Sequence, residues 1–263
     1  MSFEKHPLIH YEFCGLGDSP VLVMSHALGT NLELWDYQVE ALRGSFRILR
    51  YDSRGHGKSP DGHGPYTISL LASDVLALLD ELNIPNAHFC GISMGGLVGQ
   101  YLAIHHPERI SSLVLSNTAA RVGTCEKWDR RIREVTKAGM AAVFDEVLEG
   151  WFSARFRSTG PPIADSLAQA LKATSPEGYI GTCHALRDAD LSQLVGSVNA
   201  PTLIIAGTED QATTLEASRF LHEKIRGSEL IALECGHLAC AEVPVEFTDQ
   251  LNKFLTTQTI LRP

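Results

Sequence analysis

Gly91-Ile92-Ser93-Met94-Gly95 is a G-x-S-x-G pentad, and a serine held between glycines suits nucleophilic attack on an acyl carbon. Serine is a weak nucleophile until a general base takes its proton. At glycine and serine frequencies near 7%, a chain this long would contain about 0.1 such pentads by chance, so the motif alone is modest evidence. Its setting adds more. The pentad follows the apolar run Ala87–Ile92 and opens an uncharged helical stretch from Met94 to His106, which would put Ser93 on a sharp strand-to-helix turn. Side chains at 91 and 95 would collide with the backbone of that turn. G-x-G-x-x-G is absent here, which counts against a phosphate-binding loop.

Eleven histidines compete for the role of base. His237, in Glu234-Cys235-Gly236-His237-Leu238, comes just after the last predicted strand, where a loop can carry an imidazole over Ser93. His26 and His56 also follow strands. His26 is expected to brace its own loop by hydrogen bonding, and His56 to be structural in the turn Asp52–Gly57. His184 is left open as a residue that could line a pocket. The acid belongs at another strand end, and Asp210, after Thr202–Gly207, fits; Glu209 is its neighbouring rival, and Asn117 carries no charge. Backbone N–H groups should stabilise the oxyanion: Met94 at a helix N-terminus, and Leu28 in the loop after Val21–Ser25, which Gly29 lets turn back. There is no H-E-x-x-H and no clustered His/Asp/Glu set, so neither a metal nor a cofactor is expected.

These groups need strands that end along one edge. Val21–Ser25, Arg47–Asp52, Ala87–Ile92, Ile110–Ser116, Thr202–Gly207 and Glu229–Glu234 read as strands. Leu70, Leu71, Val75, Leu78, Leu79 and Leu82 share one helical face, and helices also fit 94–106, 214–225 and 245–255. Continuous apolar strands separated by helices imply a mostly parallel sheet covered on both faces. One connection, 118–201, is far longer than a crossover needs. It carries helical patterns at 127–137, 140–152, 163–173 and 179–187, and reads as a lid over the sheet edge where open α/β sheets bind ligands. The expected division is a core of 1–118 and 193–263 with a lid of 119–192.

The chain has 263 residues and a formal charge of −9, which argues against a nucleic-acid binder. Six cysteines form no C-x-x-C pair, and the N-terminus shows no basic and apolar leader pattern. Cytoplasmic, reduced thiols are expected. The stretch from Leu82 to Pro107 lacks charge but holds asparagines, histidines, glycines and a glutamine, a polar load no membrane helix tolerates, so no membrane association is expected.

Taken together, His26-Ala27-Leu28-Gly29, Asp52-Ser53-Arg54-Gly55-His56-Gly57-Lys58-Ser59, Gly91–Gly96, Gly207-Thr208-Glu209-Asp210 and Cys235-Gly236-His237 resemble the α/β-hydrolase superfamily over nearly the whole chain. More narrowly, Ser25–Asn31, Leu49–Asp52, Asn117–Ala120, Thr174–Tyr179 and Ala185–Asp190 are similar to the 3-oxoadipate enol-lactonases. The usual His-Gly of the oxyanion loop is His26-Ala27 here, which adds a methyl but removes no N–H. The resemblance implies an α/β-hydrolase fold with a helical lid inserted after the sixth strand. It also implies a small anionic lactone from bacterial aromatic-compound breakdown as substrate. Under it, Ser93, Asp210 and His237 are the triad, and an acyl-enzyme forms on Ser93.

Such a substrate must be met by an acidic protein. Residues 119–192 hold ten basic and ten acidic residues, so the rest carries the whole −9. Within the lid, Lys127–Lys137 has five cations against Asp129 and Glu134. Trp128, Ile132 and Val135 share the face expected to point inward, with Arg131 flanking it. Arg131 is the first candidate to meet a substrate carboxylate; Trp128 and Trp151 are candidates to contact substrate, and Arg187 more naturally pairs with Asp188 or Asp190. A general carboxylesterase, or a hydrolase of carbon–carbon bonds in diketo acids, would use the same triad. A ligand-sensing protein on this fold would usually lack a triad member. The oligomeric state stays open.

Overall fold

Seven strands form one sheet in the computed structural model, which describes residues 9–260. Residues 1–8, which include most of the segment searched for a leader, lie outside the described residues, as do 261–263. The strands are β1 (Tyr11–Cys14), β2 (Val21–Ser25), β3 (Arg47–Tyr51), β4 (Ala87–Ile92), β5 (Ile110–Ser116), β6 (Thr202–Gly207) and β7 (Glu229–Leu233), in the order β1-β3-β2-β4-β5-β6-β7. Only β1 runs antiparallel, against β3. Every residue of β4 and β6 is buried, the environment that selects continuous apolar runs in parallel strands. β1 alternates between half-buried and exposed positions at the sheet edge.

The helices in chain order are α1 (Asp36–Leu42), α2 (Ile68–Glu81), α3 (Met94–His105), α4 (Cys125–Ala138), α5 (Phe144–Trp151), α6 (Ala154–Ser158), α7 (Pro162–Ala173), α8 (Pro176–Asp188), α9 (Leu215–Lys224), α10 (Ala239–Glu242) and α11 (Pro244–Ile260). Thr67 starts α2 by accepting from Leu70 N–H, and its buried stripe is Leu71, Val75, Leu78 and Leu79. α3 is buried along nearly its whole length, which accounts for its lack of charge. Among the described residues no helix is long and apolar enough to cross a membrane.

Helices α4 to α8 fill the connection between β5 and β6. The insertion therefore follows the fifth described strand rather than a sixth, although it is the same strand, Ile110–Ser116, that the sequence marks. From β2 the chain moves outward to β3 and then returns to the other side for β4, so the topological switch lies between β2 and β4. The register pairs Ser25 with Gly91, Ile92 with Ser116, Ser116 with Ile205 and Gly207 with Leu233. The loops after β2, β4, β5, β6 and β7 thus leave along one edge.

Candidate active site

Ser93 sits between β4 and α3 with φ 55° and ψ −114°, a conformation costing about 1–3 kcal/mol for a residue with a Cβ. Its surroundings over-determine it. Ser93 N–H donates to Ser116 O at 3.0 Å, and Ser93 O accepts from Thr118 Oγ1 at 2.7 Å. A Cβ on Gly91 would lie 2.2 Å from Gly95 O, and one on Gly95 would lie 2.3 Å from Ser25 O, so neither position admits a side chain. The Ser93 hydroxyl makes no hydrogen bond among the described residues and opens onto a cavity of about 230 Å³ that His237 also lines.

His237 Nδ1 lies 2.8 Å from Asp210 Oδ2. A carboxylate only accepts, so the proton is on Nδ1 and Nε2 is the free basic nitrogen. Asp210 also accepts from Asn117 Nδ2 at 3.1 Å, Thr213 Oγ1 at 2.7 Å, Ala212 N–H at 2.7 Å and Thr213 N–H at 3.0 Å. Burial would raise its pKa, but the facing His237 and the Thr213 donors outweigh that and hold the carboxyl well below its ordinary range. Glu209 is exposed, and its carboxylate makes no ion pair with a histidine among the described residues. Asn117 takes a role that the sequence does not disclose. At φ 43°, its amide bridges Asp210 Oδ2 and Gly236 O, both at 3.1 Å, tying the acid to the histidine loop. The available signal was an asparagine at a strand end, a residue that tolerates positive φ.

Leu28 lines the cavity, and Met94 is the first residue of α3. Among the described residues neither backbone N–H donates a hydrogen bond, so both are free for an oxyanion, with the helix terminus adding positive potential. His26 braces this loop, as its position suggests. Ser53 N–H donates to Nε2 at 2.9 Å, so Nδ1 is protonated and donates to Ala27 O at 2.8 Å. With Nε2 accepting, the ring is neutral, and burial lowers its pKa in the same sense. His56 donates from Nδ1 to Arg54 O at 3.1 Å, and burial pushes its pKa down to about 3. Neither lines the cavity that Ser93 and His237 share. His184 sits half-buried on α8 outside the cavity lining.

The insertion supplies the cavity's far wall. On α4 the buried stripe is Trp128, Arg131 and Val135, with Ile132 only half-buried, so Arg131 is further inside than its flanking angle suggests. Trp128 and Trp151 both line the cavity, and Trp128 Nε1 donates to Val122 O at 2.6 Å. Arg131 donates from Nη2 to Glu146 at 2.7 Å and from Nη1 to the Tyr179 hydroxyl at 3.4 Å. Arg130 holds Glu146 from the other side with two bonds of 2.9 Å, and these contacts, followed by Arg131, depress the Glu146 pKa to about 2. Arg187 pairs with Asp188 and Asp129 and does not line the cavity.

A family described as alpha/beta hydrolase fold matches residues 20–244. The chain belongs to that family. This hydrolase is 41% identical over 239 residues to "3-oxoadipate enol-lactonase 2" of Acinetobacter baylyi, covering 91% of this chain and 90% of the relative. It is 37% identical over 241 residues to "3-oxoadipate enol-lactonase 1" of the same organism, covering 92% and 90%. The crystal structure of the enol-lactonase from Burkholderia xenovorans LB400 superposes with a TM-score of 0.93 at 42% identity, covering 94% of this chain and 96% of that one.

The hydrolase also fastens its histidine loop to the insertion through a buried carboxylate that the sequence does not single out. Glu242 on α10 accepts from Gly236 N–H and Ser153 N–H at 3.0 Å each, and from the Ser153 hydroxyl. Leu238 N–H donates to Trp151 O at 2.9 Å alongside. Removing the acceptor strands two buried N–H groups. Glu242→Ala is therefore expected to lower unfolding stability by about 3 kcal/mol in urea titration, and a loss below about 1 kcal/mol would contradict this bracing role.

Proposed function

We propose that this hydrolase opens 3-oxoadipate enol-lactone to 3-oxoadipate in bacterial aromatic-compound catabolism. The observation that carries the reading is the shared cavity. Ser93, His237 paired to Asp210, and Leu28 face Trp128, Arg131 and Lys127 across one small space. Relatives named for this activity support the choice of substrate. In this reading residues 119–192 act as a lid, excluding bulk water and contacting the substrate with Trp128 and Trp151. A reduced, cytoplasmic setting goes with it, supported by six free cysteines.

The steps follow from the proton inventory. Ser93 Oγ attacks the ring carbonyl while its proton passes to His237 Nε2, and the imidazolium so formed is stabilised by Asp210. The Leu28 and Met94 N–H groups hold the oxyanion, each contributing about 3 kcal/mol. The ring C–O bond then breaks and its electron pair leaves on the enol oxygen. His237 returns the proton to it, and the enol tautomerises to the ketone, which makes ring opening effectively irreversible. Water, deprotonated by His237, attacks the acyl carbon and releases the carboxylate product with Ser93 restored.

Turnover of 3-oxoadipate enol-lactone, a neutral aryl ester and a meta-cleavage diketo acid tests the reading. The lactone is expected to lead in kcat/KM by about 100-fold, equivalent to about 2.8 kcal/mol of transition-state binding. A lead for either of the other two would assign the site to a general carboxylesterase or a carbon–carbon bond hydrolase.

A further inference from the structure

Lys127 lines this cavity and forms no ion pair among the described residues. It sits in the first turn of α4, half-buried, and lines the same cavity as Ser93 and His237. Among the described residues its ammonium makes no hydrogen bond and no ion pair. The centroid of the Trp128 ring lies 5.7 Å from Nζ. Arg131 differs sharply. Both of its Nη atoms are engaged, by Glu146 and by Tyr179, only the buried Nε is without a partner among the described residues, and the guanidinium lies 5.5 Å from the centroid of the same Trp128 ring. Glu146 in turn is held by Arg130 as well as Arg131, so the one carboxylate that lines the cavity among the described residues is already shared between two arginines.

The position of Lys127 does nothing for the helix. A cation in the first turn opposes the macrodipole, whose positive end lies there. Thr124 already caps the turn by accepting from Lys127 N–H at 3.2 Å, so the Lys127 side chain has no capping task. Burial lowers its pKa, and neighbouring Arg131 lowers it further against the pull of Glu146. An unpaired, partly desolvated cation costs stability unless an anion joins it.

We propose that Lys127 is the specificity-determining residue that holds the free carboxylate of the substrate, with Arg131 fixed as a wall of the site by Glu146 and Tyr179. This moves the anion contact away from Arg131, the first candidate by helical angle. The proposal rests on reading the cavity as a site for a small acyl compound that carries a carboxylate. A lysine suits that task, because its compact charge and three donors sit on a flexible stem that can follow a ligand. In a lactone the ring-opened chain stays whole on Ser93, so the same ammonium would hold the carboxylate from binding to deacylation.

The test is a matched pair of esters, 4-nitrophenyl hemiglutarate and 4-nitrophenyl pentanoate, with wild type, Lys127→Met and Lys127→Arg. The ratio of the two kcat/KM values on one preparation does not depend on the fraction folded, so a poorly folding variant stays informative. Wild type is expected to favour the hemiglutarate. Lys127→Met should lower that ratio about 10- to 100-fold, through the hemiglutarate KM, as loss of a charge-assisted contact implies. Lys127→Arg should keep most of the preference. An unchanged ratio in Lys127→Met, or no wild-type preference, overturns the proposal. Preference for the hemiglutarate without turnover of the enol-lactone would support the Lys127 site and overturn the lactone reading, so the two fail separately.

Discussion

Replacing Asp210 with Asn is expected to lower kcat by about 10⁴-fold while leaving the fold in place. The reason lies in how the carboxylate is surrounded. Its two oxygens accept five donors. Oδ1 faces the backbone N–H groups of Ala212 and Thr213, and Oδ2 faces His237 Nδ1, Asn117 Nδ2 and the Thr213 hydroxyl. An amide must put its NH₂ on one side. Toward Oδ1 it would meet two backbone N–H groups that cannot rotate away. Toward Oδ2 it meets one fixed donor, the Asn117 amide held on Gly236 O, and two partners that can adjust, since the Thr213 hydroxyl turns and His237 can change tautomer. The amide therefore settles with NH₂ toward His237. The imidazole then carries its proton on Nε2, the nitrogen that has to accept from Ser93. Asp210→Asn loses the base without losing its position, and steady-state kinetics against wild type measures the loss. If Glu209→Gln produced the large loss and Asp210→Asn did not, the acid would be misassigned.

The places of Ser93, Asp210 and His237 could be read from the sequence because each depends on local pattern. A G-x-S-x-G turn follows a buried strand, and an acid and a histidine follow two later strands. Parallel pairing then brings the ends of those strands to one edge, as the pairings of Ser25 with Gly91 and Gly207 with Leu233 show. β1 was not legible, because four alternating residues at an antiparallel edge present only a weak one-sided pattern. α6, five residues long with no buried residue, offers no apolar periodicity at all.

The supports of the site were hidden for a different reason. Asn117 and Glu242 act through contacts with segments distant in sequence, 119 residues away for Asn117 and Gly236 and 89 for Glu242 and Ser153, while Thr213 holds Asp210 from three residues along the same loop. The contrast between Arg131 and Lys127 was hidden in the same way. Helical angle places Arg131 beside the inner face of α4 and Lys127 about 100° round from Trp128, but only the arrival of Glu146 and Tyr179 from other helices engages the arginine and leaves the lysine unpaired among the described residues.

The proposed chemistry begins at Ser93. Its hydroxyl makes no hydrogen bond among the described residues, while its backbone groups carry the contacts that hold the turn. Ser93→Ala should therefore change unfolding stability by no more than about 0.5 kcal/mol. With no nucleophile to accept the acyl group, kcat for 3-oxoadipate enol-lactone should fall about 10⁵- to 10⁶-fold, the residue being what the oxyanion donors and binding alone provide. The decisive measurement is kcat of purified, folded Ser93→Ala on that lactone beside wild type. A drop of that size with unchanged melting is the predicted result. Turnover near the wild-type rate would contradict the nucleophile, the acyl-enzyme and the mechanism built on them.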